Sequence, residues 1–150
     1  MAHLMMGSLS FIAGEFTPAY AHLTQGLAVY QLQLHPQQQS YDYNFHDVGV
    51  ALYIDTALSL WMLGYVVQAR VTLQNGIAMS RERSRPYRLA WMLCGAARLY
   101  QYLGEFQAVY EHAKASVALA REWSFAYLIG QGGGDARVGA RDAGRGKERH

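Results

Sequence analysis

Three segments of this chain carry the same short pattern: Gly14-Glu15-Phe16-Thr17-Pro18-Ala19, Gly64-Tyr65-Val66-Val67-Gln68-Ala69 and Gly104-Glu105-Phe106-Gln107-Ala108-Val109. The agreement runs on downstream. Leu23, Leu73 and Ala113 share a column, as do Gly26, Gly76 and Ser116, then Leu27, Ile77 and Val117, then Ala28, Ala78 and Ala118. Upstream, Gly7, Ala57 and Ala97 each stand seven residues before the repeated glycine. A repeat of this size limits the fold more than any single motif does. Each copy is one supersecondary unit that cannot bury its apolar face alone and must stack on a neighbour.

The physical content of each copy is a helix, a glycine turn and a second helix. Glycine at the end of the first helix takes a left-handed conformation that a β-carbon would penalise. Apolar residues then return at helical spacing, as Phe16, Ala19, Leu23 and Leu27 and again as Val66, Ala69, Leu73 and Ile77. Small residues recur where two helices must approach, at Ala57 and Ala97 on the first helices and at Gly26, Gly76 and Ser116 on the second. Pro18 follows Thr17, a good N-cap, at a position where its missing N–H costs nothing. Pro86 opens the third hairpin in the same way, with Ser84 as its candidate cap. The pattern predicts helices over 2–13, 17–33, 47–63, 66–82, 86–103 and 106–123. His35 to His46 is the one long connection and holds Pro36. The expected fold is all-α: antiparallel helical hairpins, about three of them, stacked as a solenoid over residues 1–128.

Beyond Tyr127 the character changes. Seven of the chain's 15 glycines lie between Gly130 and His150, among Arg and Asp, with no apolar period. Side chains of this kind bury too little to offset the entropy of ordering, so 129–150 is expected to be a disordered Gly/Arg-rich tail. A phosphate-cradling role for Gly132-Gly133-Gly134 is excluded by the absence of a preceding strand and a following helix in the expected structure.

Composition narrows the function classes. Only 16% of residues are charged and 51% are hydrophobic, against roughly 25% charged in an average soluble domain; such a chain hides apolar faces against neighbours. A net charge of +2 is too weak an excess to argue for nucleic acid. Cys94 is the one cysteine, so no intrachain disulfide can form, which fits a reducing compartment. No run approaches the roughly 18 apolar residues of a membrane span, and Met1 to Ala13 lacks the basic start of a signal peptide. These readings place the chain in the cytoplasm, away from membranes.

The repeat columns resemble the tetratricopeptide family, whose units carry a small residue midway in the first helix and a Gly-x-aromatic-x-x-Ala turn. Gly14-Glu15-Phe16 with Ala19, and Gly64 with Val66 and Ala69, follow that turn; Gly104-Glu105-Phe106 follows it up to Val109, which replaces Ala. The family's proline at the end of the unit is absent, with Gln31, Arg81 and Arg121 in its place, and its large early residue is Tyr53 in one copy and Leu93 in another. Over roughly 8–127, His46-Asp47-Val48-Gly49-Val50-Ala51 and the run Ala57 to Tyr65 look like the helical repeats of large bacterial signalling proteins that also carry an ATPase module with a nucleotide cyclase or protein kinase domain. The resemblance implies a non-catalytic scaffold that docks a protein partner or another domain of its parent protein. The alternative it implies is a regulatory or sensor segment of such an ATPase-cyclase or kinase protein, inactive alone. The chain has no Gly-x-x-x-x-Gly-Lys-Ser/Thr phosphate loop and no cyclase metal carboxylates, so no activity is carried over.

Chemistry-bearing residues point the same way. His35, Asp42, His46 and Asp47 cluster in the long connection, but their spacing matches no zinc or iron pattern. His22 and His112 occupy equivalent columns and are expected to face solvent. Cys94 lies mid-helix with Arg98 four residues on; a reactive thiol needs a cationic neighbour or a helix N-terminus, and burial is the expected state here. No paired carboxylates, nucleophile elbow or Ser/His/Asp set is present, so no catalytic, cofactor or metal residue is assigned. In the resembled architecture the first helices line a concave groove. Ile54, Leu58, Trp61, Trp91, Arg98 and Gln101 are the residues expected to line it here, together with Cys94. Both ends, Met1 to Ala13 and Ala113 to Leu128, are apolar, which favours self-association.

Overall fold

The computed structural model describes residues 1–33, 48–82 and 86–147. These form α1 (Ala2–Ile12), α2 (Phe16–Gln33), α3 (Val48–Met62), α4 (Val66–Glu82), α5 (Pro86–Tyr102), α6 (Phe106–Glu122) and α7 (Ala126–Lys147), with no strand among the described residues. The fold class is all-α. The six helices expected from the repeat are all present, with ends within one residue of those expected. Ser84, the candidate cap of α5, lies outside the described residues.

The repeated glycines act as the turn chemistry requires. Gly14, Gly64 and Gly104 have φ of +80°, +87° and +73°. Each glycine amide donates to the carbonyl three residues back, of Phe11, Trp61 and Gln101, at 3.0, 2.9 and 3.1 Å. The next amide, of Glu15, Tyr65 or Glu105, donates five residues back to Ser10, Leu60 or Tyr100 at 2.8, 2.8 and 3.0 Å. This pair of bonds satisfies carbonyls that the helix end would leave orphaned. No atom lies within 4 Å of where a β-carbon would stand at any of the three. Backbone conformation, and not space, is therefore what selects glycine there.

By its contacts the chain divides into two compact units, Met1–Gly76 and Ile77–His150, with the boundary inside α4. In the first, α1 pairs with α2, and α3 lies against both. Ala19, Leu23 and Leu52 form a buried centre, ringed by Leu4, Phe11, Leu27, Tyr30 and Val48. Gly26 faces Leu52, where a β-carbon would come within 2.7 Å of a Leu52 methyl, so the small column is a site of close helix approach. Ser8 Oγ donates to Asp55 Oδ2 at 2.7 Å and ties α1 to α3.

In the second unit α5, α6 and α7 pack mutually. Ala90, Ala120 and Leu128 form the centre, with Tyr87, Trp91, Leu119, Phe125 and Ile129 around it. Tyr87 and Phe125 meet edge to face, with centroids 5.0 Å apart. The buried Ser116 hydroxyl donates to the Ala90 carbonyl at 2.7 Å, so the polar member of the small column is satisfied.

Helix α7 corrects the expectation of a disordered tail over 129–147. Two local causes were hidden by composition. The α6–α7 turn repeats the glycine turn without a glycine: Ser124 takes φ of +59°, its amide donates to Arg121 at 3.3 Å, and the Phe125 amide donates to Ala120 at 2.7 Å. Gly132 and Gly139, seven residues apart and both buried, then lie on α6. A β-carbon at Gly132 would stand 2.8 Å from Val117, and one at Gly139 would stand 2.8 Å from the Tyr110 amide nitrogen. These glycines bury little of their own but let two helix backbones meet, and Leu128 and Ile129 contribute the apolar area.

Candidate functional site

The six residues expected to line a groove are divided between the units. Ile54, Leu58 and Trp61 lie on α3; Trp91, Arg98 and Gln101 lie on α5. Ile54 and Leu58 are only 5% and 6% exposed, so they have little surface to present to a partner. Buried residues occur all round α3, from Gly49 to Leu60. Trp61, Trp91, Arg98 and Gln101 are half-buried and keep an accessible edge. Trp91 also packs on the Ala90, Ala120 and Leu128 centre, with its ring 6.3 Å from Tyr87, which anchors its orientation.

A polar cluster in the second unit joins α5 to α7. Cys94 and Arg98 stand one helical turn apart on α5, and Gln131 and Asp135 one turn apart on α7. The Cys94 thiol, 1% exposed, donates to Gln131 Oε1 at 3.7 Å and to Asp135 Oδ2 at 3.9 Å. Gln131 Nε2 in turn donates to the Tyr127 hydroxyl at 2.7 Å. Burial pushes the thiol up to about 11; the Asp135 charge adds to this and Arg98 opposes it. Burial likewise raises the Asp135 carboxyl, against the attraction of Arg98 and the bond from the thiol. At neutral pH the sulfur is a protonated hydrogen-bond donor and not a nucleophile. The sequence pointed to Arg98 as a neighbour of Cys94; Gln131 and Asp135 were hidden because they sit in the segment expected to be disordered.

His22 and His112 do not face solvent as expected. His112 is half-buried, donates from Nδ1 to the Ala108 carbonyl at 2.8 Å and lies 5.0 Å from the Tyr100 ring. His22 is half-buried beside His3, ring centroids 5.9 Å apart. The column faces the first helix of its own hairpin, because it directly precedes the most buried position, Leu23 or Ala113. Among the described residues no three His, Cys, Asp or Glu side chains are placed to hold a metal ion. His35, Asp42, His46 and Asp47 lie outside the described residues. No helix among the described residues is long and apolar enough to cross a membrane. No protein-family model, curated protein or solved structure matches this chain.

Proposed function

We propose that the chain is a non-catalytic protein-interaction scaffold of the tetratricopeptide kind. It stacks antiparallel hairpins and docks a partner protein, or another domain of its parent protein, on the exposed edges of its first helices. The observation that supports this most is the recurrence of one hairpin design. Gly14, Gly64 and Gly104 make the same turn, and Ala19, Ala69 and Val109, then Leu23, Leu73 and Ala113, are each 0 or 1% exposed behind it. A chain that repeats one burial pattern offers a repeated outer surface, which suits extended binding of another chain. The contact residues are Trp61 on α3 in the first unit and, taken separately, Trp91, Arg98 and Gln101 on α5 in the second, since aromatic and arginine side chains dominate such interfaces. The protonated, buried Cys94 fits a structural role better than a catalytic one.

The test is a selection of binding peptides from a random display library on the folded chain. Expected are peptides that weaken at least about tenfold when Trp61→Ala or Trp91→Ala is introduced, the size of a strong interface contact. Binders indifferent to Trp61, Trp91, Arg98 and Gln101 would remove the first-helix surface from the proposal. Failure to select any binder would overturn the scaffold role.

A further inference from the structure

Ser124 is the one non-glycine residue among the described residues with positive φ. It stands where the other turns of this kind have glycine, and it closes the turn with the same two backbone bonds. Its β-carbon strains that conformation, whereas glycine would adopt it freely. The hinge is short, Trp123 to Phe125, and both Trp123 and Ser124 are exposed. Helix α7 beyond the hinge is a poor helix by itself. Gly130, Gly133 and Gly134 have open space at the β-carbon position, so they weaken the helix without serving contact. Its order comes from docking on α5 and α6, through Leu128, Gly132, Gly139 and the Cys94 cluster.

We propose that the chain exchanges α7 with a second copy of itself. When the hinge straightens, α6 and α7 join into one continuous helix and Ser124 moves to the right-handed region, which relieves its strain. The α7 of each copy then docks on the α5–α6 face of the other. The contacts of α7 with α5 and α6 are rebuilt across the pair, only the turn at Ser124 is given up, and the two-fold arrangement closes on itself. In that dimer the thiol of Cys94 donates to Gln131 and Asp135 of the second copy, so each cluster is complete only with the exchanged helix. The proposal is independent of what the first-helix surface binds.

Light scattering on the separated species of the full chain, equilibrated at high concentration and then diluted, tests this with two hinge variants of opposite sign. Ser124→Gly favours the closed turn and disfavours the continuous helix. Ser124→Ala remains strained in the turn and suits the helix. The wild-type chain is expected to form a dimer that persists on dilution. Ser124→Gly is expected to raise its dissociation constant about 25-fold, about fivefold for each of the two hinges, and Ser124→Ala to lower it. Gly139→Leu, which cannot dock α7 in either form, is expected to abolish the dimer while circular dichroism retains the helix signal of the remaining segments. A chain that stays monomeric at all concentrations overturns the proposal. So does a dimer equally stable in both Ser124 variants, or one that survives Gly139→Leu. That last result would place association on another surface, such as the exposed Met5, Leu9 and Ile12 of α1.

Discussion

The backbone of Gly139 rests on that of Tyr110: a β-carbon at Gly139 would stand 2.8 Å from the Tyr110 amide nitrogen and 3.1 Å from the Phe106 carbonyl oxygen. Neither neighbour is the end of a flexible side chain, so α7 cannot keep its place on α6 if residue 139 grows. Gly133, on the same helix, has nothing within 4 Å of its β-carbon position. The two glycines should therefore respond in opposite directions. Gly139→Ala is expected to destabilise the second unit by about 1–3 kcal/mol through overpacking. Gly133→Ala is expected to stabilise α7 by about 0.5–1 kcal/mol through helix propensity. Urea unfolding with hydrogen exchange on α7 checks both signs; a destabilising Gly133→Ala would contradict the placement of that face toward open space.

The turn glycines are selected by φ alone. Gly64→Ala keeps all surrounding contacts and forces a β-carbon into φ of +87°. The expected cost is about 1–2 kcal/mol, with little change in the dependence on denaturant. An equal substitution at Gly14 or Gly104 should cost a similar amount, because their turns share conformation and hydrogen bonds. A neutral result in a denaturant titration at any of the three would show that the turn relaxes.

Cys94 makes stability depend on alkaline pH. Its thiol is raised from 9.0 to about 11 by burial, so the folded chain holds this proton more tightly than the unfolded chain does. The contribution is complete below about pH 9 and is lost as pH rises through about 11, up to roughly 2–3 kcal/mol over the window. Cys94→Ser has no thiol to ionise and should lack this decline. Unfolding midpoints of the two proteins at neutral and alkaline pH, compared as a difference, isolate the cysteine from the tyrosines. Parallel pH profiles would mean that the thiol is accessible and unshifted.

Ser116→Ala should cost about 0.5–1.5 kcal/mol, the net worth of the bond its hydroxyl donates to the Ala90 carbonyl at 2.7 Å, since that carbonyl, inside α5, keeps its helical donor. Calorimetry on the full chain reads this as a lower melting temperature. An unchanged melting temperature would mean that the Ser116 hydroxyl contributes no net stability through this bond.

The helices α1 to α6 were legible because their signals are local. A glycine that must adopt positive φ, an apolar residue five positions on and a small residue further along are short-range consequences of helix geometry, and three repetitions raise them above chance. The candidate site was legible only in part. Trp61, Trp91, Arg98 and Gln101 keep accessible edges, whereas Ile54 and Leu58 are covered, because helical periodicity cannot distinguish an outward position from one covered by a neighbouring element.

Sequence alone thus determined the helix boundaries, the turn conformations at Gly14, Gly64 and Gly104 and the columns that are buried, because each depends on residues within a few positions of one another. Tertiary structure alone decided the fate of the glycine-rich segment after Ser124, the partners of Cys94 and the inward turn of His22 and His112. Those outcomes depend on a distant surface. Gly132 and Gly139 stabilise nothing until α6 lies against them, and a thiol's ionisation is set by what buries it, here Gln131 and Asp135 from a helix 37 and 41 residues along the chain.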